Sequence, residues 1–211
     1  MFMKPRLKRS FFKRSTLDVA RELLGQRLVK LESNGTRVSG WICETEAYIG
    51  MEDDGCHAKS GLTHRNRSMW GQAGTAYVYF TYGMHWMLNL VTESDGFPAA
   101  VLLRGIIPQE GIELIAQRRA TQPPEHWTDG PAKLCQALLI HGEYDGLDLC
   151  HPQANLFVEQ DDKIADEFVT IGPRVGLNRV EEPWKSKPWR FQAPVELFVD
   201  RGGKDNDATE R

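Results

Sequence analysis

The run RLVKLESNGTRVSGWICETEAY, residues 27–48, decides the fold class. Two strand-like segments, Arg27–Glu32 and Thr36–Tyr48, meet across Asn34-Gly35, a dipeptide that tolerates positive φ at both central positions of a tight hairpin. Upstream, Ser15-Thr16 followed by LDVARELLG reads as a helix with a hydroxyl N-cap and Leu17, Ala20, Leu23 and Leu24 on one face. Gly25 is its stop. Downstream, a basic Gly- and Ser-containing loop runs from Gly50 to about Gly74. GTAYVYFTYGMHWMLNLVT, residues 74–92, then reads as a second hairpin with Tyr82-Gly83-Met84 near its tip. Pro98–Ile107 has the β-branched, apolar character of a central strand. Helices are predicted over Glu110–Ala120, ending in cations that suit the C-terminal dipole, and over Pro131–Ile140, with Pro131 in the first turn. Short strands are predicted at Asn155–Glu159, Phe168–Ile171 and Arg190–Asp200. Strands and helices do not alternate as βαβ units do, so the expected class is α+β. The expected architecture is one domain over residues 15–201, with a curved antiparallel or mixed sheet, flanking helices and a protruding β-hairpin. Residues 1–14 are expected as a basic N-terminal arm and 202–211 as a frayed polar tail.

The 211 residues, 41% hydrophobic and 26% charged, suit one globular core and exclude a disordered chain. Apolar stretches such as Tyr77–Phe80 and Ala99–Leu103 are far too short to cross a bilayer, so no membrane partner is expected. The N-terminus has cations but no apolar core of a signal sequence. The expected location is therefore cytoplasm or nucleoid in a bacterium and nucleus in a eukaryote, without secretion. Cys43, Cys56, Cys135 and Cys150 have no CxxC spacing, so reduced thiols are expected and neither a metal nor another cofactor.

A net charge of −3 speaks against a polyanion partner, but its distribution does not. Six cations from Lys4 to Arg14 precede the first acid, Asp18, and no Asp or Glu occurs from Gly55 to Thr92. Taken alone, the first group is a solvated arm. Strand periodicity puts Glu44, Glu46 and Tyr48 on one face, with Thr45 and Ala47 on the other. That polar face is either solvent-exposed, the commoner case, or the wall of a polar cleft. Stacked carboxylates raise one pKa unless a cation compensates, and Arg104, inside an apolar strand, needs such a partner. In the second hairpin Phe80 and Trp86 are expected to pack in the core. Tyrosine at an exposed tip has nothing to pack on. Beside a basic, acid-free loop it suits stacking on bases or wedging between them.

The motifs ETEAYIG at 44–50, EDDGCHAKSG at 52–61, RNRSMW at 65–70, GTAYVYFTYGMHWMLN at 74–89 and AAVLLRGIIPQEG at 99–111 resemble the alkyladenine (3-methyladenine or methylpurine) DNA glycosylase family. GPAKLCQAL at 130–138 and PRVGL at 173–177 extend the resemblance from about Ala20 to Arg190. It implies that Glu46 is the general base for the attacking water and that Arg104 helps position both. It further implies that Tyr48, His57 and Tyr79 form the pocket for an extruded base, while Asn89 sterically disfavours guanine's exocyclic amine. Tyr82 would insert into the minor groove, and Thr63, Arg65 and Met69 would contact DNA. The implied partner is duplex DNA containing damaged purines, and the implied state is a monomer. The substrates would be 3-methyladenine, 7-methylguanine, hypoxanthine and ethenoadenine, flipped out and hydrolysed without strand cleavage. Two other readings compete. One is a catalytically silent DNA-binding domain on the same scaffold. The other is a glycosidase for free nucleosides or sugars using Glu44 and Glu46, which sit poorly to flank one bond.

Overall fold

The computed structural model describes residues 4–198, in which eight strands form a sheet with antiparallel pairing throughout. They are β1 (Arg27–Leu31), β2 (Arg37–Ile49), β3 (Ala76–Thr81), β4 (His85–Val91), β5 (Ala99–Glu110), β6 (Leu156–Glu159), β7 (Thr170–Gly172) and β8 (Arg190–Gln192). The order is β3-β4-β5-β2-β1-β6. Strand β2 is long enough to serve three partners: β5 along one edge, β1 beside its first half, and β8 beside Glu44–Glu46. Strand β8 in turn pairs with β7. The β2–β5 register shifts on both sides of Glu44, the kind of irregularity that bends a strand and re-aims its side chains.

Helices α2 (Thr16–Glu22), α3 (Ile112–Arg118) and α4 (Pro131–Leu138) accompany a short α1 (Arg9–Phe12). Period-two alternation sends Val78, Leu88, Leu90, Val101, Leu103 and Ala47 into one core with Val19, Ala20, Leu23, Leu134 and Leu138. Thr45 shares that face and donates to the Ala20 carbonyl at 2.7 Å. The opposite face carries a smaller cluster of Cys56, Ala58, Met69, Tyr77, Val91 and Ala100 beneath the loop after β2. Ser15 caps α2 by accepting from the Asp18 N–H. Gly25 ends that helical segment at φ +86°, where a Cβ would sit 2.5 Å from the Asp162 carbonyl oxygen. Only glycine meets both demands.

Three expectations change. The segment from residue 4 to 14 is not a free basic arm. Leu7 and Phe12 are buried, and the Leu7 N–H donates to Val158 O at 2.8 Å. Three of its six cations form ion pairs, Lys4 with Asp161, Arg9 with Asp148 and Arg14 with Glu22, Arg6 lies 3.5 Å over the Phe157 ring, and Lys8 and Lys13 are exposed. Apolar residues interleaved with the charges dock this segment onto the sheet edge. Second, of the strand expected from Arg190 only 190–192 is extended. Pro194 breaks the ladder, and residues 196–198 are helical, with Phe198 against Trp41 at 5.9 Å. The rest of that segment and the tail at 202–211 lie outside the described residues. Third, Phe80 and Trp86 do pair across the hairpin with ring centroids 4.8 Å apart. Yet Phe80 is exposed, because the hairpin has left the sheet's helix-covered part by that point.

Candidate active site

Alternation along four adjacent strands aims one set of side chains at the face away from the helices: Glu44, Glu46 and Tyr48 from β2, Leu102 and Arg104 from β5, Asn89 from β4, and Tyr77 and Tyr79 from β3. The polar face of β2 is therefore the wall of a cleft rather than a solvent edge. Between this wall and the loops around His57 and Val175 lies a cavity of about 310 Å³.

Glu46, with no exposed surface, sits directly behind three residues that line this cavity, Tyr48, Arg104 and Val175. One carboxylate oxygen, Oε1, accepts the Val175 backbone N–H at 2.6 Å, and the other accepts the Tyr48 hydroxyl at 2.8 Å. Arg104 Nε stands 3.4 Å from Oε1. Burial raises the Glu46 pKa, opposed by the Arg104 cation and the two hydrogen bonds, and the net direction is upward. Burial also works against the Arg104 cation, but Glu46 and Glu44 outweigh it and its pKa rises. The nearer partner of Arg104 is Glu44, whose Oε1 accepts from Arg104 at 2.8 Å and from Arg190 at 3.2 Å. Glu44 pairs with two arginines through Oε1, and neither Glu44 nor Glu46 lines the cavity, so the two do not flank it as a glycosidase's carboxylate pair would.

The walls are aromatic. His57 Nδ1 shares a 2.8 Å hydrogen bond with the Tyr77 hydroxyl, and its ring meets Tyr79 edge-on at 4.4 Å. Burial, with help from the Arg65 charge, pushes the His57 pKa down to about 4, so the ring is neutral at pH 7 although one side is open to solvent. Asn89 is buried on the sheet, donating from Nδ2 to the Tyr77 carbonyl at 3.1 Å. Tyr82 stands at the rim, 83% exposed, with φ +52° followed by Gly83 at +68°. Two positive φ values in succession, closed by the Met84 N–H on Thr81 O at 3.2 Å, are the pattern of a primed hairpin turn.

The residues expected to contact DNA divide. Thr63 is exposed and closes a turn with Asn66 through reciprocal bonds of 2.7 and 3.3 Å. Arg65 is exposed, donating to Phe80 O at 3.1 Å with its guanidinium 5.3 Å from the Tyr79 ring centroid. Met69 is a correction: it is 2% exposed and packs under the cavity, its sulfur 3.9 Å from Cys56 Sγ. An apolar residue in a 3-10 turn, Arg67–Trp70, whose other residues are polar or amphipathic, becomes its anchor. Sequence reasoning gave no role to Tyr77, Arg174 or Val175. Tyr77 had a signal in its shared face with Tyr79, whereas Val175 acts through a backbone N–H that no side-chain pattern reveals.

A family model for methylpurine-DNA glycosylase (MPG) matches residues 10–196, from the docked N-terminal segment through the loop that meets Glu46. The chain belongs to this family. Among similar proteins, one from Methanocella arvoryzae is 47% identical over 188 residues, covering 89% of this chain and 92% of the relative. One from Chlorobaculum parvum is 42% identical over 181 residues, covering 85% and 86% respectively. A third, from Myxococcus xanthus, is 42% identical over 196 residues, covering 93% and 94%. Each carries the name "Putative 3-methyladenine DNA glycosylase". Family membership thus rests on the whole sheet and both cavity-forming loops, not on the ETEAY strand alone. Among the described residues, no helix is long and apolar enough to cross a membrane, and no group of three or more His, Cys, Asp or Glu side chains could hold a metal ion.

Proposed function

We propose that this chain is a monofunctional DNA glycosylase that flips damaged purines out of duplex DNA and hydrolyses their N-glycosidic bond, acting as a monomer. The observation that carries this reading is a fully buried carboxylate, Glu46, held by Tyr48, Arg104 and Val175 of an aromatic cavity whose lining includes the exposed Tyr82. Family membership and the names of the relatives support the reaction class.

A purine stacked in a duplex keeps its anomeric carbon from water, so extrusion precedes chemistry and costs a few kcal/mol. Tyr82, unpacked in the free protein, fills the gap the base leaves. In the cavity Tyr48 and Tyr79 offer ring faces to the base, and a positively charged alkylpurine gains a cation–π attraction there. The glycosidic bond then breaks with its electron pair leaving on the purine nitrogen, and the sugar becomes oxocarbenium-like. Water attacks the anomeric carbon while its proton passes to Glu46, which Arg104 keeps ionised and oriented. The raised pKa of Glu46 makes it a better base than a solvated carboxylate. A cationic alkylpurine departs neutral, whereas hypoxanthine or ethenoadenine must gain a proton. His57, neutral at pH 7, does not supply it. Among the described residues no lysine lines the cavity, in keeping with a reaction that forms no Schiff base and leaves the strand intact.

The test uses duplexes carrying one ethenoadenine, hypoxanthine or cationic alkylpurine, with abasic sites revealed by alkali. Release of at least one base, with no strand break before alkali and no borohydride-trapped adduct, is the expected result. Lesion binding without release would establish the silent binder instead. Neither binding nor release would overturn the reading.

A further inference from the structure

Arg174, its side chain fully enclosed, does not itself line the cavity but packs behind the lining residue Tyr48, and three of its contacts converge on the proposed base. Its guanidinium forks onto Asp53, with Nη1–Oδ2 at 2.5 Å and Nη2–Oδ1 at 2.7 Å. Asp53 is itself fully buried and accepts the N–H groups of Ile49 at 3.2 Å and Gly55 at 2.9 Å. Nη1 also donates to Ala47 O at 3.0 Å, and Ala47 is the residue between Glu46 and Tyr48. The flat face of the guanidinium lies 4.6 Å from the Tyr48 ring centroid and 4.9 Å from that of Trp189. The next residue, Val175, places its N–H on Glu46. The packing admits no slack: a Cβ at Gly55 would stand 2.8 Å from Leu177 and 3.0 Å from Arg174 Nη2.

We infer that Arg174, locked by Asp53, is a positioning residue for the proposed general base, setting the Val175 N–H on one oxygen of Glu46 and the Tyr48 hydroxyl on the other. A stabilising role alone explains this arrangement poorly. A buried pair of this kind is weak evidence for stability, and Arg174 Nε has no hydrogen-bond partner. What the pair secures is geometry. A guanidinium can satisfy a carboxylate and a carbonyl in one plane while stacking on rings above and below, which an ammonium cannot. The inference rests on the reading of Glu46 as the base.

Both bonds that Arg174 governs stabilise the ionised carboxylate. The charged and titratable groups facing Glu46 are Glu44 and Tyr48 on β2, Arg104 on β5 and Tyr79 on β3, with Arg190 on β8 acting through Glu44. Arg174→Lys keeps a cation beside Tyr48 and Asp53 and replaces none of these groups, so a moved titration reports the geometry.

Single-turnover excision from a lesion duplex is measured against pH for wild type, Arg174→Lys and Val175→Pro, with thermal melts and binding to an abasic-site duplex alongside. Arg174→Lys keeps a cation beside Asp53. Val175→Pro deletes the N–H at a residue with an exposed side chain. Both are expected to move the acid limb upward by about one pH unit, as loss of one hydrogen bond to a carboxylate implies. Plateau rates should fall on the order of tenfold to a hundredfold, with little change in abasic-site binding. If Arg174→Lys loses its cooperative melt, Val175→Pro decides. If wild type excises and a folded variant keeps the wild-type limb and rate, this inference is overturned while the glycosylase reading stands. If wild type excises no lesion, the glycosylase reading itself fails, and this one with it.

Discussion

Replacing Tyr82 with asparagine should improve the fold and damage the function, and the two effects can be sized separately. Tyr82 is 83% exposed, so the substitution forfeits little buried area in the free protein. Its φ of +52° lies in the left-handed region, which costs an ordinary L-residue roughly 1–2 kcal/mol. Asparagine tolerates that region, and Tyr82→Asn places before Gly83 the dipeptide most favoured in a primed two-residue turn. Only part of the strain is relieved, so the net gain should be about 0.5–1 kcal/mol. For a chain of this size that is a Tm increase of roughly 1–4 °C. On DNA the loss is a stacking contact worth about 1–3 kcal/mol, or roughly 5- to 150-fold in stabilising the extruded base. Differential scanning calorimetry reads the first effect. Single-turnover excision from a fully paired duplex reads the second, with a lesion in a single strand as control, where no gap needs filling and the defect should largely vanish. A lowered Tm would mean that the tyrosine contributes packing the structure does not contain. An equal defect on single-stranded and duplex substrates would refute its role as a wedge.

Further outcomes are expected at three residues. Glu46→Gln should abolish single-turnover excision while retaining lesion binding; near-normal turnover would exclude Glu46 as the base. The same variant should also melt higher than wild type at pH 7. The folded-state pKa of Glu46 is raised, so between the unfolded and folded values the folded protein holds a proton that the unfolded chain has released, and stability falls as pH rises through that window. The Tm gap should therefore shrink on acidification, and a gap that widens would reverse the sign. His57, pushed down to about 4 from 6.5, should show no NMR titration near pH 6.5; its contribution to stability is present above 6.5 and lost as pH falls towards 4. Asn89→Ala removes the amide from the cavity floor and its bond to Tyr77 O. It should cost about 1 kcal/mol of stability and raise excision of undamaged guanine relative to hypoxanthine, checked on mispaired duplexes; unchanged discrimination would place selectivity elsewhere.

The limits of the sequence reading follow from which interactions leave a side-chain pattern. Period-two alternation in residues 44–48 was enough to put Glu44, Glu46 and Tyr48 on one face, whereas the strands that carry Tyr79, Asn89 and Arg104 were legible from the turn at Tyr82-Gly83-Met84 and the β-branched run Pro98–Ile107. Charge alone misled at residues 4–14, where Leu7 and Phe12 do the docking and ion pairs hold Lys4, Arg9 and Arg14. Met69, expected at the DNA, packs inward at 2% exposed while Leu62 of the same loop is 64% exposed, a division that the loop's polar composition does not signal. The contacts that complete the site cross more than a hundred residues and were invisible for a different reason. Glu46 is finished by a backbone N–H from Val175, and the loop carrying it is held by a pair, Arg174 with Asp53, whose members sit in separate motifs. The segment PRVGL at 173–177 resembled the family without suggesting a task, since its arginine faces away from the reactant. Its contacts towards Glu46 run through Ala47, Tyr48 and Val175. A sheet face can be read from one strand at a time, whereas the orientation of a buried carboxylate depends on which loop closes over it. For this reason replacements at Arg174, more than at any residue lining the cavity, separate the two levels of organisation.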